Sequence, residues 1–468
     1  MLAAATGCNM APHYKRPATP AAPDHFKEAA PGAANTGQGW KPAEPNDTAL
    51  GGKWWEAYAD PDLNALEERV AISNQTIAAA EANYRNARAL ASEAQAALFP
   101  AVSLDPSVIR SRTGAATASN SNPVTRTLYT LPVEASYTLD VWGRIRNTVA
   151  QSNFGAQVSA AELATALLST HSQLAQYYFQ LRAVDEQRQI LEETLADYEA
   201  SYRIVKTLFD NGISSDEDLA AAETQRDSAR AQATDIQATR AQVEHAIAVL
   251  VGVPPSGLTI PVRAFKPTPP TVPVGLPSAL LERRPDIAAA ERQVASANAG
   301  IGIARSAFFP NLTLAASAGY ESTATSKLFK YPNFFWSFGP SLFQPLFEGG
   351  SLRAILNQAR AQYDAAVANY RETVLAAFEG VEDNLSNLNV LSTEVGEQHA
   401  ARASAQHQLE LTMNRYHNGL DSYVNVITAQ NTLLTNREAE LQAELRRVTA
   451  SVNLIVNLGG GWDDSQLK

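Results

Sequence analysis

The sequence predicts a mainly α-helical chain with a smaller β part suited to a membrane, built by internal duplication. Three observations carry this. First, residues 77–100 match residues 287–310, with Ala80-Glu81 over Ala290-Glu291 and Ala97-Leu98-Phe99-Pro100 over Ala307-Phe308-Phe309-Pro310. Later the offset settles at 207: Gly143 over Gly350, Arg146 over Arg353, Asn211-Gly212 over Asn418-Gly419, Gly252 over Gly459. A self-similarity at fixed offset marks a duplicated module. Second, each half holds stretches whose apolar residues recur at period two. Third, each half then turns to a seven-residue repeat.

The totals restrict what such a chain can do. At 468 residues the length alone suggests two or three domains. The net charge of -11 argues against nucleic acid as a partner. No run approaches 18 apolar residues, so no transmembrane helix is expected. One Cys excludes a disulfide framework within the chain and a Cys-rich metal site. The seven His are scattered, and no HExxH, P-loop, GxSxG or dinucleotide fingerprint occurs. His399 and His407 could share a helix face, but solvated helix residues explain them better. No catalytic residue, metal ligand or cofactor site is therefore expected. An enzyme would need a polar constellation that the chain does not present.

Residues 1–8 end in Ala5-Thr6-Gly7-Cys8, which resembles the end of a bacterial lipoprotein signal with Cys8 as the lipid-attachment residue. The charged and long apolar parts of a signal are missing, so the start looks truncated, and Ala stands where that pattern prefers Leu. Asn9 rather than Asp follows, as in lipoproteins sorted to the outer membrane. Covalent lipid on Cys8 is the only non-protein group expected. Residues 9–60 are rich in Pro, Ala and Gly and read as an extended arm, pinned to the body at Trp54-Trp55.

The first repeat spans 61–252: a helix to Leu98, a β-hairpin over 101–140, a long helix over 142–209 and a return helix over 214–251. From Tyr129 one face reads Tyr129, Leu131, Val133, Ala135, Tyr137, Leu139, Val141; the other reads Thr130, Pro132, Glu134, Ser136, Thr138, Asp140. Alternation of this length is a strand with one apolar side, and Pro132 is a local blemish. Residues 101–112 form a weaker strand before it. In the long helix Leu174, Leu181, Arg188, Leu195, Tyr202 and Phe209 fall seven apart, with Tyr177, Val184, Leu191, Tyr198 and Val205 between them. That is a coiled-coil seam. Asn211-Gly212 supplies the positive φ of the reversal.

A Pro-rich linker over 253–279 leads to the second repeat, 280–460, and a tail, 461–468. Leu280-Leu281 enter its first helix, with Arg283-Arg284-Pro285-Asp286 as punctuation of the first turn. Its hairpin covers 311–347, its long helix 350–416 and its return helix 421–457. Between Phe329 and Phe347 eight of nineteen residues are aromatic, which suits a membrane-interface girdle. A soluble sandwich is the competing reading, but four strands separated by long helices do not make one. Leu131, Val133, Phe334, Trp336 and Phe338 are the candidate membrane-facing residues.

Arg283-Arg284-Pro285-Asp286-Ile287, the Ala290-Glu291 pair and the closing Phe309-Pro310 resemble the signature of the outer membrane efflux proteins, the TolC type. Trp54-Trp55, Asp60-Pro61, Leu63, Leu66 and Asn74 match that family's opening pattern, and the likeness covers about residues 50–462. Four half-apolar strands cannot close a barrel, because the smallest membrane barrels have about eight. Open edges are not tolerated in lipid, so several chains must contribute, two or three by the strand count alone. The resemblance implies a homotrimer whose twelve-stranded barrel continues into a tube of helices, a periplasmic α-barrel.

It also implies a function: a passive exit duct in the bacterial outer membrane, lipid-anchored and reaching into the periplasm. Its partners would be a periplasmic adaptor (membrane fusion) protein, an inner-membrane pump and outer-membrane lipid. Arg415-Tyr416-His417-Asn418-Gly419-Leu420-Asp421 is similar to the family's closed periplasmic tip, where Leu420 and Asp421 match positions that narrow the pore. Ile213 aligns with Leu420 in the first repeat, and Arg415 or Arg203 could hold Asp421. A helix N-cap at Asp421 or Ser422 is the competing reading. A coiled-coil scaffold of the cell envelope is the rival function; it would share the heptads but leave the strands without purpose.

Overall fold

The computed structural model describes residues 9–21, 26–28, 52–114, 123–267, 269–270 and 283–462. Seven α-helices and five strands carry the architecture of those residues. They are α1 (Pro61–Ser73), α2 (Gln75–Ala96), β1 (Ala101–Leu104), β2 (Ser107–Thr113), β3 (Val124–Leu139), α3 (Arg144–Asp210) and α4 (Asp216–Leu250), followed by α5 (Pro285–Ser306), β4 (Asn311–Ser322), β5 (Phe334–Phe343), α6 (Ser351–His417) and α7 (Tyr423–Asn457). The duplication is written in the lengths: α3 and α6 have 67 residues each, α4 and α7 have 35 each, α2 and α5 have 22 each. The glycines matched across the repeats all have positive φ, from 67° to 96°.

The chain divides into two compact units. One comprises Met1–Ala18, Asn83–Ala160 and Ala289–Arg371, and holds the sheet. All pairing is antiparallel, in the order β1-β3-β4-β5, with β2 also on β3. The single strand expected over 101–112 is interrupted at Asp105-Pro106, giving five strands in four lanes. The interruption is not a slip. Leu104 faces Val133 and Ser107 faces Thr130, so the register passes through unshifted. Pro132 explains the gap: Asp105 donates its N–H to the Pro132 carbonyl at 3.3 Å, but Pro132 has no N–H to return the bond.

Gly319 faces Pro132 across the next lane, and a Cβ on it would overlap the Leu131 carbonyl. The blemish is thus absorbed by a residue without a side chain. Where β3 passes into α3, the Asp140 carboxylate accepts the backbone N–H groups of Ile145 (2.9 Å) and Arg146 (3.0 Å) and the Arg146 Nε (2.9 Å). It thereby satisfies donors that a helix start leaves open. Trp142 stacks on Phe309 at 4.7 Å and donates its Nε1–H to the Pro310 carbonyl.

The other unit comprises Thr19–Ala82, Ala161–Ala288 and Glu372–Lys468. Its largest cluster joins Trp54, Trp55, Tyr58, Leu63, Val70, Leu174, Leu181, Ile247, Val448 and Ile455. Burying each large apolar side chain contributes roughly 1.5–3 kcal/mol. The seam residues Val184, Leu191, Tyr198 and Val205 are buried, while Phe209 at the helix end is largely exposed. In the second repeat Val374, Val381, Leu441, Val448 and Ile455 are buried. Phe26 closes a smaller cluster with Val381, Leu385 and Leu454.

The linker is held by charge. Asp185 is buried between Arg240 (2.7 Å) and Arg182 (3.3 Å). These two guanidinium groups also donate to the carbonyls of Ile260 and Pro261, at 2.7 and 2.6 Å. Glu244 accepts the Ile260 N–H at 2.6 Å.

Candidate functional site

The strand registers decide which side chains share a face, because directly opposed residues of an antiparallel pair point the same way. Leu131, Tyr320 and Phe334 form one row, then Leu104, Val133, Ala318 and Trp336, then Val102, Ala135, Ala316 and Phe338. The rows Tyr137–Leu314–Pro340 and Leu139–Leu312–Leu342 complete the band. Every one of the five candidate membrane-facing residues lies on this face. Trp336 and Phe338 are 72% and 67% exposed, which for such side chains is a large apolar surface.

The opposite face carries Ser103, Thr130, Glu134, Ser136, Thr138, Thr313, Ser317, Glu321, Ser337 and Ser341, with Phe335 as an apolar exception. From the Tyr129 level to the Leu139 level the strand rises about 33 Å at 3.3 Å per residue. At the tilt of such barrels that is a band about 25 Å tall. The outer edges of β5 and of β1–β2 have no strand partner among the described residues.

The two helical reversals are built alike. Gly212 N–H bonds to the Phe209 carbonyl and Ile213 N–H to Leu208, and in the second repeat Gly419 bonds to Tyr416 and Leu420 to Arg415, all at 2.8–2.9 Å. This is the Schellman closure of a helix C-terminus. The apolar residue after the glycine usually packs back on its own helix there. Ile213 and Leu420 instead stand 73% and 70% exposed. Their backbones are fixed and their side chains are offered outward.

Asp421 meets Arg415 Nε at 3.2 Å, accepts the Ser422 N–H at 3.0 Å and accepts the Asn425 side-chain amide. The Asn425 amide, with the Ser422 N–H and Arg415, holds the Asp421 carboxyl below the usual carboxylate range. Ser422 occupies the N-cap position of α7 but makes no capping bond with its side chain. Arg203 is exposed and forms no ion pair among the described residues. Tyr416 lies 5.4 Å from Tyr423, and burial pushes the Tyr423 hydroxyl up to about 12. The first reversal is closed differently, by a capping box between Ser215 and Asp218. Asn425 was invisible as a partner of Asp421 in the sequence, although its i,i+4 spacing is the signal that could have found it.

The signature residues turn out to be ties. Pro285 opens α5 directly after the Arg283-Arg284 pair, and Leu280-Leu281 lie outside the described residues. Arg284 grips Asp286 through two bonds (3.0 and 2.7 Å) and donates to the Asn457 carbonyl at 2.9 Å. Glu291 is buried and accepts the Tyr14 hydroxyl, fixing the N-terminal arm. Asn9 accepts from Asn147 at 2.9 Å. A Cβ on Gly302 would lie 2.6 Å from the Ala11 Cβ, so only glycine lets the arm approach. Cys8 lies outside the described residues.

One acid is buried without a counter-charge. Glu67 is fully buried and bonds to His171 Nδ1 at 2.6 Å, with Trp55 stacked on the imidazole at 4.5 Å. Burial pushes Glu67 up to about 9 and His171 down to about 4. Burial therefore favours the uncharged form of both partners. No group of His, Cys, Asp and Glu suited to a metal occurs among the described residues.

A sheet with one apolar and one polar face, unpaired at both edges among the described residues, in a chain with two 67-residue helices, defines a chain of the outer-membrane channel class. The family model described as outer membrane efflux protein matches twice, over residues 66–253 and 276–460. The chain belongs to this family, and the double match is the duplication seen in its helices. It is similar to the probable efflux pump outer membrane protein TtgC of Pseudomonas putida, 32% identical over 97% of this chain and 93% of that one. It is 31% identical to the pyoverdine export outer membrane protein OpmQ of Pseudomonas aeruginosa, over 88% of each. Among solved structures, the outer-membrane channel OprN superposes with a TM-score of 0.87 at 28% identity, covering 97% of this chain and all of that one. The open state of the Neisseria gonorrhoeae MtrE outer membrane channel gives 0.83 at 27% identity, over 97% and 98%.

Proposed function

We propose that three copies of this chain join β5 of one to β1–β2 of the next, closing a twelve-lane barrel in the outer membrane as the exit duct of a tripartite efflux system. The observation that carries this reading is the two-faced sheet whose edges are both open among the described residues. Unpaired backbone groups are not tolerated in hydrocarbon, and four lanes are too few to close. The apolar rows from Leu131 to Leu342 meet lipid, and the Glu134–Glu321 face lines a passive aqueous path. A periplasmic adaptor protein and an inner-membrane pump supply the coupling and energy.

Leu420 and Ile213 form the apolar part of a periplasmic gate, with Asp421 held by Arg415 and Tyr416 packed behind it. The exported compounds are small molecules; the efflux and pyoverdine-export names of the relatives support that class. The test is conductance of the purified protein in planar bilayers, together with cross-linking of Cys pairs placed on the β5 and β1 edges. Discrete channels and cross-linked trimers are expected, and cross-linked species stopping at dimers would overturn the three-chain barrel.

Cys8 carries the lipid anchor in this reading. The mass of protein expressed with a complete signal should exceed that of residues 8–468 by the acyl groups, and Cys8→Ala should abolish the excess while the barrel remains in the membrane. An unmodified Cys8 would remove the anchor from the proposal.

A further inference from the structure

The far end of the sheet, away from the strand ends that join helices, has a charge unlike the rest of the chain. Residues 107–130 contain three Arg and no Asp or Glu, and the connection 323–333 contains Lys327 and Lys330 and no acid, in a protein of net charge -11. Arg110 and Arg112 are exposed and form no ion pair among the described residues. Their register fixes where they stand. Arg110 faces Thr127 and Arg112 faces Thr125, which share the face of Tyr129, Leu131 and Val133. The apolar band therefore ends at an aromatic collar, Tyr320 with Phe329 and Phe334 each 5.6 Å away, then Val108 beside Tyr129, and the next side chains outward along β2 on this face are the two arginines.

At 3.3 Å per residue, Arg110 lies about 7 Å and Arg112 about 13 Å beyond the Tyr129 level. That is the height of lipid headgroups above an aromatic girdle. Arg126 faces Ser111 and belongs to the opposite, polar face. Guanidinium groups bind phosphate bidentately, and two on one strand face span adjacent phosphates.

We propose that Arg110 and Arg112 form a docking surface for the phosphates of the phosphorylated glycolipid in the outer leaflet. This rests on the reading that the Val133–Trp336 face meets lipid. Lys327 and Lys330, in the connection at the same end of the sheet, add positive potential to this rim. The surface commits to glycolipid rather than phospholipid, because a pair of phosphates on one rigid headgroup matches a pair of arginines two residues apart. A phosphatidylglycerol or phosphatidylethanolamine headgroup offers one.

The protein, purified in detergent, is titrated with bis-phosphorylated lipid A, with the same lipid dephosphorylated, and with phosphatidylglycerol. Lipid A should bind at least tenfold more tightly than either other lipid. Arg110→Ser with Arg112→Ser should weaken lipid A binding at least tenfold, and Arg126→Ser should leave it within twofold. Unchanged binding in the double variant, an equal loss in Arg126→Ser, or phosphatidylglycerol binding as tightly as lipid A would each overturn the proposal. Brominated lipid separates this from the reading beneath it. The quenching that disappears in Trp336→Phe reports whether the face meets lipid. If it is absent, the membrane face itself is wrong. If it is present in wild type and double variant alike, the sheet is intact and only the arginine docking is at stake.

Discussion

Asn74 and Leu250 are joined by a hydrogen bond from the side-chain amide to the carbonyl at 2.8 Å, and the same tie recurs one repeat later. Arg284, 210 residues beyond Asn74, donates to the carbonyl of Asn457, 207 residues beyond Leu250, at 2.9 Å. Beside each tie a glycine of positive φ closes the return helix: a Cβ on Gly252 would overlap the Ser73 carbonyl, and one on Gly459 the Arg283 carbonyl. Gly212 has a φ of 73°, beside 72° at Gly252 and 96° at Gly459, but nothing within 4 Å. A left-handed conformation costs a non-glycine residue about 1–2 kcal/mol, and forced overlap in packed structure adds about 1–3 kcal/mol. Gly252→Ala and Gly459→Ala should therefore destabilise the protein clearly more than Gly212→Ala, as read from denaturant midpoints. Equal effects at all three would mean that the two close approaches carry no strain.

The Glu67–His171 pair makes stability depend on pH in a definite way. Glu67, raised from an ordinary 4.5 to about 9, binds a proton in the folded state that the unfolded chain has released, so its contribution falls as pH rises between those values. His171, lowered from 6.5 to about 4, acts oppositely between 4 and 6.5. The two cancel from 4.5 to 6.5. Above that only Glu67 remains, and stability should fall toward pH 9 by up to about 1.4 kcal/mol per pH unit. Glu67→Gln keeps the volume and a donor to Nδ1 and should flatten that alkaline limb. Unfolding midpoints at pH 6.5, 7.5 and 8.5 for both proteins decide it, and parallel limbs would show that Glu67 is ionised in the fold.

What the sequence disclosed and what it withheld follow from the range of the interactions. Heptads and alternation are local periodicities, so Leu181, Val205, Val133 and Phe338 could be placed on a seam or a face from spacing alone. The paired glycines fixed both reversals because few residues adopt positive φ. The Glu67–His171 bond links residues 104 apart, and the Tyr14–Glu291 bond links residues 277 apart. No pattern in the chain marks such pairs. The break at Asp105-Pro106 was missed for another reason: it depends on Pro132 in the neighbouring lane, which stands opposite Asp105 and has no N–H to complete the pair. For the gate, spacing led to Arg415 and Arg203 equally, and only the geometry distinguishes the paired one.

The two faces of the sheet should respond differently to charge. Val133 sits in the row with Ala318 and Trp336, and Ser136 faces Ala315 on the polar side. An Arg facing lipid at mid-membrane costs about 2–4 kcal/mol, repeated in every copy of a symmetric assembly. Val133→Arg should lower the yield of assembled protein in the membrane fraction several-fold, while Ser136→Arg assembles normally. Equal yields from the two variants would contradict the assigned faces.

At the proposed gate, the geometry separates an ionic latch, Asp421 with Arg415, from an apolar contribution, Leu420 with Ile213. Asp421 draws on Arg415, Asn425 and the Ser422 N–H, so its charge is stabilised at the cost of holding the loop in one shape. Both partners of the ion pair lie in solvent-screened surroundings, so the latch is weak by itself and sensitive to salt. Leu420 is held outward by the closed helix end and does not depend on that latch. Asp421→Ala alone should raise single-channel conductance modestly and remove part of its salt dependence. Leu420→Ser with Asp421→Ala should raise it several-fold, because the apolar ring and the latch are lost together. Helix content by circular dichroism should stay unchanged, since Ser422 and not Asp421 holds the N-cap position of the return helix. Wild-type conductance in the double variant, with the assembly intact, would place the constriction elsewhere along the path.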